Sequence, residues 1–525
     1  MNAFHLGRCL GDITAPSFQR YYLRQQMESL EHNTSIAFDS RPRAQLDDDP
    51  ASSPPATAHK AGTNCIAIDQ TVGRFLVSGG ADTSVRLWDL ESRGKEDDDD
   101  ENDDSSPSSH SSPKTYRPLS SISKATANSH THSITSLSIY PFDPTPTTLL
   151  TTSYDQSLLL STITPTSLRP LHKFPLDFTT HTHAVSPAPS SSPLIAVGTS
   201  HPAPRLIDLR TALATHALPG HTSGPIYSLA WHPSTAHTLL SASADGRILA
   251  FDIRRASPAF ASLDMDDSLG VPASSRPALA LHGGARAHEA PITGLAFSRD
   301  GRKLVSAAHD QRIRVWDVAS GRNDLVHFGP RIRNTRDAEL KPVLAPAGIR
   351  AAGGGGGGGE LLFWPNDDAR GEIFVLEMAE GTMVRTLKTR NVDVVRAAAV
   401  QTKRKGKARA GVGGAAVNRL TSGGRINSLA FRPVWSDEGR GAALEMYSAH
   451  GDGRICAWTP HVAEDLDEDE RSDEGGEGVG SDDEDAAPRQ KKTQEEVDAD
   501  RSRKRKRDLI EGLVEGLTKR PVTFS

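Results

Sequence analysis

The chain has 525 residues, with 60 lysines and arginines against 66 aspartates and glutamates, so its formal net charge is −6. This near balance argues against a general nucleic-acid coat and against a membrane-surface protein. The three cysteines, Cys9, Cys65 and Cys456, form no CxxC pair, which argues against a disulfide framework or a thiolate zinc site. No apolar run is long enough to span a bilayer, so we expect a soluble intracellular protein without a membrane partner.

The first predicted element is a helix within residues 1–40. Pro16 follows Thr14, as is typical of a helix start. An apolar stripe then contains Phe18, Tyr22, Met27 and Leu30, together with Tyr21 and Leu23. Residues 34–39 (TSIAFD) are predicted to form the outer strand that closes the last repeat, and residues 41–62 are interpreted as a linker.

A repeated unit extends over residues 63–460. Five copies align on an aspartate that precedes an apolar run, and four of them have an aromatic residue six positions later. The aligned aspartates are Asp82, Asp155, Asp245, Asp310 and Asp452. Residues 194–209 and 361–378 are degenerate copies that retain the apolar alternation. Each copy predicts strand, tight turn and strand, because the alternation has a period of two and turn-forming residues separate its halves.

The repeats, such as KLVSAAHDQRIRVWDV, resemble those of WD-repeat proteins. The resemblance and the count of seven units imply an all-β, seven-bladed propeller with an N-terminal helical segment, disordered loops and a disordered C-terminal tail. Disordered insertions are expected at about residues 91–129, 261–287, 331–360 and 388–424. Residues 461–525 are interpreted as an acidic and then basic tail.

Serine, histidine and aspartate recur within the repeats in a way that superficially resembles a hydrolase. The recurring residues are His221, Ser241 and Asp245 in one repeat, and His288, Ser306, Asp310 and Trp316 in the next. A catalytic triad occurs once, in a pocket with an oxyanion hole, whereas this set recurs at strand spacing. We therefore interpret it as a structural hydrogen-bond network, and we predict no enzyme activity, cofactor or metal site. The resemblance to WD-repeat proteins implies the same role.

Longer stretches resemble the Cockayne syndrome group A family of WD-repeat proteins. They include AVGTSHPAPRLIDLR, SASADGRILAFDIRRAS and HDQRIRVWDVASGRNDLVHFGPRIRN. The resemblance implies a substrate receptor of a cullin-4 RING ubiquitin ligase in transcription-coupled nucleotide excision repair. The implied partners are the ligase adaptor (the large subunit of the damage-binding protein), the stalled RNA polymerase II machinery and the group B repair ATPase. The alternative is a nuclear scaffold in chromatin or RNA processing without a ligase role.

The residues 251–254 (FDIR) resemble the WDxR box of cullin-4 receptors, with Phe251 in place of tryptophan. The resemblance implies that Arg254, held by Asp252, binds the adaptor, and that Phe18 and Tyr22 of the N-terminal helix enter the adaptor's cleft. The alternatives are a solvated arginine and a helix that only packs on its own propeller.

The tail contains a run of five basic residues beside an acidic stretch: Arg503, Lys504, Arg505, Lys506 and Arg507. This pattern predicts a nuclear import signal and hence a nuclear location, the alternative being a solvated charge run. A second basic segment, KRKGKAR, has no interleaved aromatic residues, so direct contact with nucleic acid is not expected.

Overall fold

The fold is taken from a computed structural model. It describes residues 14–41, 56–91, 114–143, 145, 147–187, 193–211, 213–255, 257–267, 284–346, 349, 359–389, 424–433 and 444–461. All of these residues belong to one unit, Met1–Val462.

The chain enters the fold through one helix and two short strands, namely α1 (Ala15–Glu28), β1 (Leu30–Asn33) and β2 (Ile36–Phe38). Helix α1 follows an extended Thr14 and carries proline in its first turn, where the missing N–H costs no helical bond. It ends where the N–H of Ser29 bonds the carbonyl of Gln25.

Seven four-stranded antiparallel sheets follow. Blade 1 contains β3 (Thr63–Ile68), β4 (Phe75–Gly80), β5 (Val85–Asp89) and, after β6 (Lys114–Tyr116), β7 (Pro118–Ile122). Blade 2 contains β8 (Ile134–Ile139), β9 (Thr148–Ser153), β10 (Ser157–Ile163) and β11 (Leu168–Pro175). Blade 3 contains β12 (Thr180–Val185), β13 (Leu194–Thr199), β14 (Arg205–Asp208) and β15 (Leu213–Ala217).

The remaining blades have the same order from the innermost strand outward. Blade 4 contains β16 (Ile226–Trp231), β17 (Thr238–Ser243), β18 (Ile248–Asp252) and β19 (Ala259–Ser262). Blade 5 contains β20 (Ile292–Phe297), β21 (Lys303–Ala308), β22 (Ile313–Asp317) and β23 (Arg322–Asn323). Blade 6 contains β24 (Val343–Leu344), β25 (Leu361–Pro365), β26 (Glu372–Glu377) and β27 (Met383–Lys388). Blade 7 contains β28 (Ile426–Phe431), β29 (Met446–His450), β30 (Ile455–Pro460) and β1.

The architecture confirms the predicted seven-bladed β-propeller. Hydrophobic clusters lie between neighbouring blades, where the apolar sides of two sheets face each other. The aromatic residue of the repeat is buried in them: Trp88, Phe251, Trp316 and Trp458 are all 0% exposed. Among the described residues, no helix is sufficiently long and apolar to cross a membrane.

The ring closes through β1, which pairs with β30 so that Leu30 lies opposite Pro460. The prediction that residues 34–39 form this strand is wrong. The Asn33 side chain accepts a hydrogen bond from the Ser35 N–H at 2.9 Å, and the chain turns there. β2 then pairs in parallel with β6, and Phe38 stacks on Tyr116 at 5.1 Å between blades 7 and 1.

Several predicted boundaries need correction. β6 and β7 lie within the expected insertion 91–129, β19 ends within 261–287, and β24 lies within 331–360. Residues 56–62 belong to blade 1 and are not linker, because His59 forms part of its hydrogen-bond network. The rest of the expected insertions and nearly all of the tail lie outside the described residues.

Residues 334–340, hereafter the central segment, bond the innermost strands of five blades. The side chain of Asn334 bonds Thr293 of blade 5 at 2.6 Å. Arg336 donates to Asn427 of blade 7 at 2.5 Å and to Asn64 of blade 1 at 3.4 Å. Glu339 accepts from blades 3 and 4. The central segment therefore occupies the channel around which the blades are arranged.

Candidate functional site

The propeller has two faces that differ in chemistry. The turn-aspartate face carries the turns between second and third strands, with Asp82, Asp155, Asp245, Asp310 and Asp452. On the opposite face the third strands end, at Asp89, Asp208, Asp252 and Asp317 in blades 1, 3, 4 and 5.

Arg254 lies on the opposite face, immediately after β18. Its Nε donates to Asp252 Oδ1 at 3.0 Å and its Nη2 donates to Oδ2 at 3.0 Å. The Arg254 side chain is 64% exposed and that of Asp252 is 9% exposed. The hydrogen bond from Arg254 holds the pKa of Asp252 at about 2, so the carboxylate stays ionised at neutral pH. The result is an exposed guanidinium held in one orientation by a buried carboxylate.

Blade 3 carries the same pair of residues at the same place, which the sequence interpretation missed. Asp208 accepts the backbone N–H of Arg210 at 2.8 Å, and the Arg210 Nη2 lies 3.9 Å from Asp208 Oδ2. The Arg210 side chain is 66% exposed. The sequence contains the pattern that would have revealed this pair. Residues 207–210 (IDLR) and 251–254 (FDIR) both have an aspartate followed two positions later by an arginine.

The aspartates that end the third strands of blades 1 and 5 have other hydrogen-bond partners. Asp89 accepts a hydrogen bond at 2.7 Å from Nη2 of Arg74, the residue immediately before β4. Asp317 accepts the hydroxyl of Ser320 at 2.6 Å. Among the described blade ends, an aspartate with an arginine two residues later therefore occurs on the neighbouring blades 3 and 4 alone.

Helix α1 approaches this same face, since β1 begins beside the end of β30. Leu23 and Met27 are buried in the cluster between blades 6 and 7, and the Gln26 side chain accepts the N–H of Leu444 at 2.7 Å. Tyr22 is half-buried, whereas the side chain of Phe18 lies outside the described residues. The C-terminal half of α1 thus packs on blades 6 and 7 of its own propeller, whereas Arg254 lies on blade 4.

The recurring polar residues form networks inside the blades. In blade 5, His288 Nδ1 donates to Asp310 at 2.9 Å, its Nε2 lies 2.7 Å from the Ser306 hydroxyl, and Trp316 Nε1 donates to Ser306 at 2.8 Å. Burial lowers the pKa of His288, so the ring is neutral. Burial is the largest effect on Asp310 and opposes its ionisation, but the hydrogen bonds from His288 and Arg314 and the charge of Arg314 together outweigh burial and hold the pKa at about 2.

Blade 4 has an incomplete network. His221 Nε2 lies 2.5 Å from Ser241 Oγ, but His221 Nδ1 is 3.8 Å from Asp245 and has no hydrogen-bond partner among the described residues. Phe251 has no N–H to donate. Burial raises the pKa of Asp245 and lowers that of His221 to about 4.

Two histidines of equivalent networks escaped the sequence interpretation. His59 bonds Asp82 at 3.0 Å in blade 1, and His130 bonds Asp155 at 3.1 Å in blade 2. They precede their aspartates by 23 and 25 residues, against 22 for His288. That spacing was the missed signal. Within the described residues, no group of His, Cys, Asp and Glu is arranged to hold a metal ion.

Comparison with known proteins agrees with this geometry. Four segments match the WD domain, G-beta repeat, and each reaches the third strand of blade 1, 2, 4 or 5: residues 52–89, 122–160, 213–252 and 283–317. The chain is a seven-bladed β-propeller that contains four WD repeats.

The chain is also similar to WD repeat-containing protein ATCSA-1 of Arabidopsis thaliana. The two are 27% identical over 347 residues, which cover 55% of this chain and 73% of the relative. The predicted import residues Arg503, Lys504, Arg505, Lys506 and Arg507 lie outside the described residues.

Proposed function

We propose that this WD-repeat propeller is the substrate-recognition subunit of a cullin-4 RING ubiquitin ligase that acts in transcription-coupled nucleotide excision repair. The observation that carries the proposal is the exposed fork formed by Asp252 and Arg254. Such a fork resembles the WDxR box through which cullin-4 receptors contact their adaptor.

The chemistry of the fork suits a protein partner. Asp252 engages Nε and Nη2 of Arg254, and within the described residues Nη1 makes no hydrogen bond. A guanidinium that is already held in a fixed orientation before the partner arrives loses less rotamer entropy on binding a carboxylate or carbonyl group than a free side chain does. Arg210, on the neighbouring blade, extends the basic surface.

Two further observations support the assignment. Helix α1 reaches the same face and presents a half-buried Tyr22. The name of the relative ATCSA-1 contains the abbreviation CSA, which matches Cockayne syndrome group A. The proposed partners are the large subunit of the damage-binding protein, the stalled RNA polymerase II machinery and the group B repair ATPase, and the proposed location is the nucleus.

Affinity purification of the full chain from cells, scored for the cullin-4 adaptor, tests the proposal. Recovery of the adaptor with the wild-type chain and its loss with Arg254→Glu is the expected result. Equal recovery with both chains, or recovery of chromatin or RNA-processing complexes without the adaptor, would instead favour a scaffold with no ligase role.

A further inference from the structure

Aromatic residues from three blades meet on the turn-aspartate face, around the mouth of the channel. Tyr154 follows β9, while His181 and Tyr227 lie at the starts of β12 and β16. The His181 ring contacts the Tyr154 ring edge to face at 5.6 Å and the Tyr227 ring at 5.1 Å.

The central segment brings an acidic side chain to this mouth. Asp337 lies between the two anchoring residues Arg336 and Glu339, and its own side chain is 78% exposed. Its nearest basic group is His309 Nδ1 at 3.7 Å, beyond hydrogen-bond distance. The other nitrogen of that ring, Nε2, donates to the carbonyl of Arg336 at 2.8 Å. Asp337 therefore remains an exposed acceptor.

The negative charge of Asp337 acts on all three rings. Burial raises the pKa values of Tyr154 and Tyr227, and the Asp337 carboxylate raises both further. Burial lowers the pKa of His181 while Asp337 opposes that effect, so the imidazole is neutral near pH 7. Arg336 lowers the pKa of Tyr154 by more than Asp337 raises it, and its hydrogen bonds to the neutral amides of Asn427 and Asn64 do not remove its positive charge.

The hydroxyls and the carboxylate at the mouth receive no hydrogen bonds from other described residues. Neither tyrosine hydroxyl hydrogen-bonds any other described residue, and the same holds for the Asp337 carboxylate. A carboxylate beside tyrosine rings and hydroxyls attracts a cation that carries N–H donors, because the ring quadrupole and the carboxylate both favour positive charge. The side chain of a lysine or arginine meets that description.

We propose that Tyr154, His181, Tyr227 and Asp337, hereafter the mouth cluster, form a docking site for a lysine or arginine side chain of a partner protein. The partner presents the basic side chain from a peptide segment that lies across blades 2 to 4. The site lies on the face opposite Arg254, so it is independent of the proposed adaptor contact.

Peptide retention on the immobilised full-length chain tests the proposal. The probes are four degenerate heptapeptide libraries with lysine, arginine, glutamine or glutamate at the central position. We expect the lysine and arginine libraries to be retained about fivefold more than the glutamine library. Asp337→Asn removes that preference, while Tyr154→Phe, which deletes one hydroxyl, reduces it about twofold.

The controls keep the result specific. Asp337→Glu retains the charge and should retain the preference, which separates recognition from misfolding. Glu380→Gln removes an exposed negative charge on the other face and should change nothing. Arg254→Glu should also leave the preference intact. A rise in lysine-library retention after Lys504, Arg505 and Lys506 are changed to glutamine would identify the chain's own tail as an occupant of the same site.

The proposal is overturned if lysine and glutamine libraries are retained equally, or if no library is retained above background. It is also overturned if Asp337→Asn keeps the full preference.

Discussion

Thr182 donates a hydrogen bond from its hydroxyl to Glu339 Oε1 at 2.7 Å, and this bond joins the central segment to blade 3. Ser228 of blade 4 donates to the same oxygen at 3.1 Å, and Lys341 Nζ lies 2.7 Å away. The Glu339 carboxylate, which is 9% exposed, therefore has both hydrogen-bond and ionic partners. It links blades 3 and 4, although the central segment lies between blades 5 and 6 along the chain.

Replacing Glu339 with alanine should lower the free energy of unfolding by about 2–3 kcal/mol, because buried hydroxyls and a lysine lose their acceptor. Glu339→Gln keeps an acceptor and should cost less. Urea denaturation of both variants measures the difference. Equal losses for the two variants would show that the acceptor is not what stabilises the ring.

The networks of blades 4 and 5 allow a matched comparison of serines. Ser306→Ala removes the acceptor of Trp316 Nε1 and the partner of His288, whereas Ser241→Ala affects His221 alone. We expect Ser306→Ala to cost about 1–2 kcal/mol more stability than Ser241→Ala, since it leaves one more buried group unpaired. Denaturation midpoints at pH 7.5 measure both. A larger loss for Ser241→Ala would contradict the assigned geometry.

Stability should depend on pH through His221. Its pKa in the folded chain is about 4, below the unfolded value of 6.5, so the unfolded state binds more protons between these values. Stability is therefore lost as the pH falls through 6.5, by about 1–2 kcal/mol between pH 7.5 and 5.5. His221→Gln should remove that part of the dependence, while His216→Gln, at an exposed histidine, should not. An unchanged pH dependence in His221→Gln would contradict a buried neutral imidazole.

The sequence was sufficient for the repeating part of the fold. Alternation and turn residues located the strands around Asp82, Asp245 and Asp310, because each blade buries the same positions. It failed where long-range partners decide the structure. Leu30 closes the ring by pairing with Pro460. Because Pro460 lies 430 residues away along the chain, no local sequence pattern encodes that pairing.

The central segment was missed for a similar reason. It has no apolar period, and its polar side chains are satisfied by innermost strands of other blades, through Thr182 and Asn427 for example. A polar stretch of this kind looks like a solvent-exposed insertion from sequence alone. At the opposite face, Arg210 escaped notice because its blade lacks the turn aspartate on which the repeats were aligned.

The basic tail makes a separate prediction about location. A fluorescent reporter fused to residues 501–520 should accumulate in the nucleus, because a run of five basic residues is typical of import signals. Changing Lys504, Arg505 and Lys506 to alanine should leave the reporter evenly distributed, as scored by the nuclear-to-cytoplasmic fluorescence ratio. A wild-type reporter that stays cytoplasmic would show that the tail alone is not a sufficient signal.

The adaptor contact is tested most directly by calorimetric titration of the purified chain with the purified large subunit of the damage-binding protein. Arg254→Glu should weaken binding about tenfold or more by placing a negative charge at the fork, and adding Arg210→Glu should weaken it further. Arg312→Glu is the matched control, because it reverses an exposed arginine on the turn-aspartate face. We expect wild-type affinity for Arg312→Glu and loss of affinity for Arg254→Glu, with equal thermal stability for the two variants. Wild-type affinity for Arg254→Glu, or no binding by the wild-type chain, would contradict this expectation.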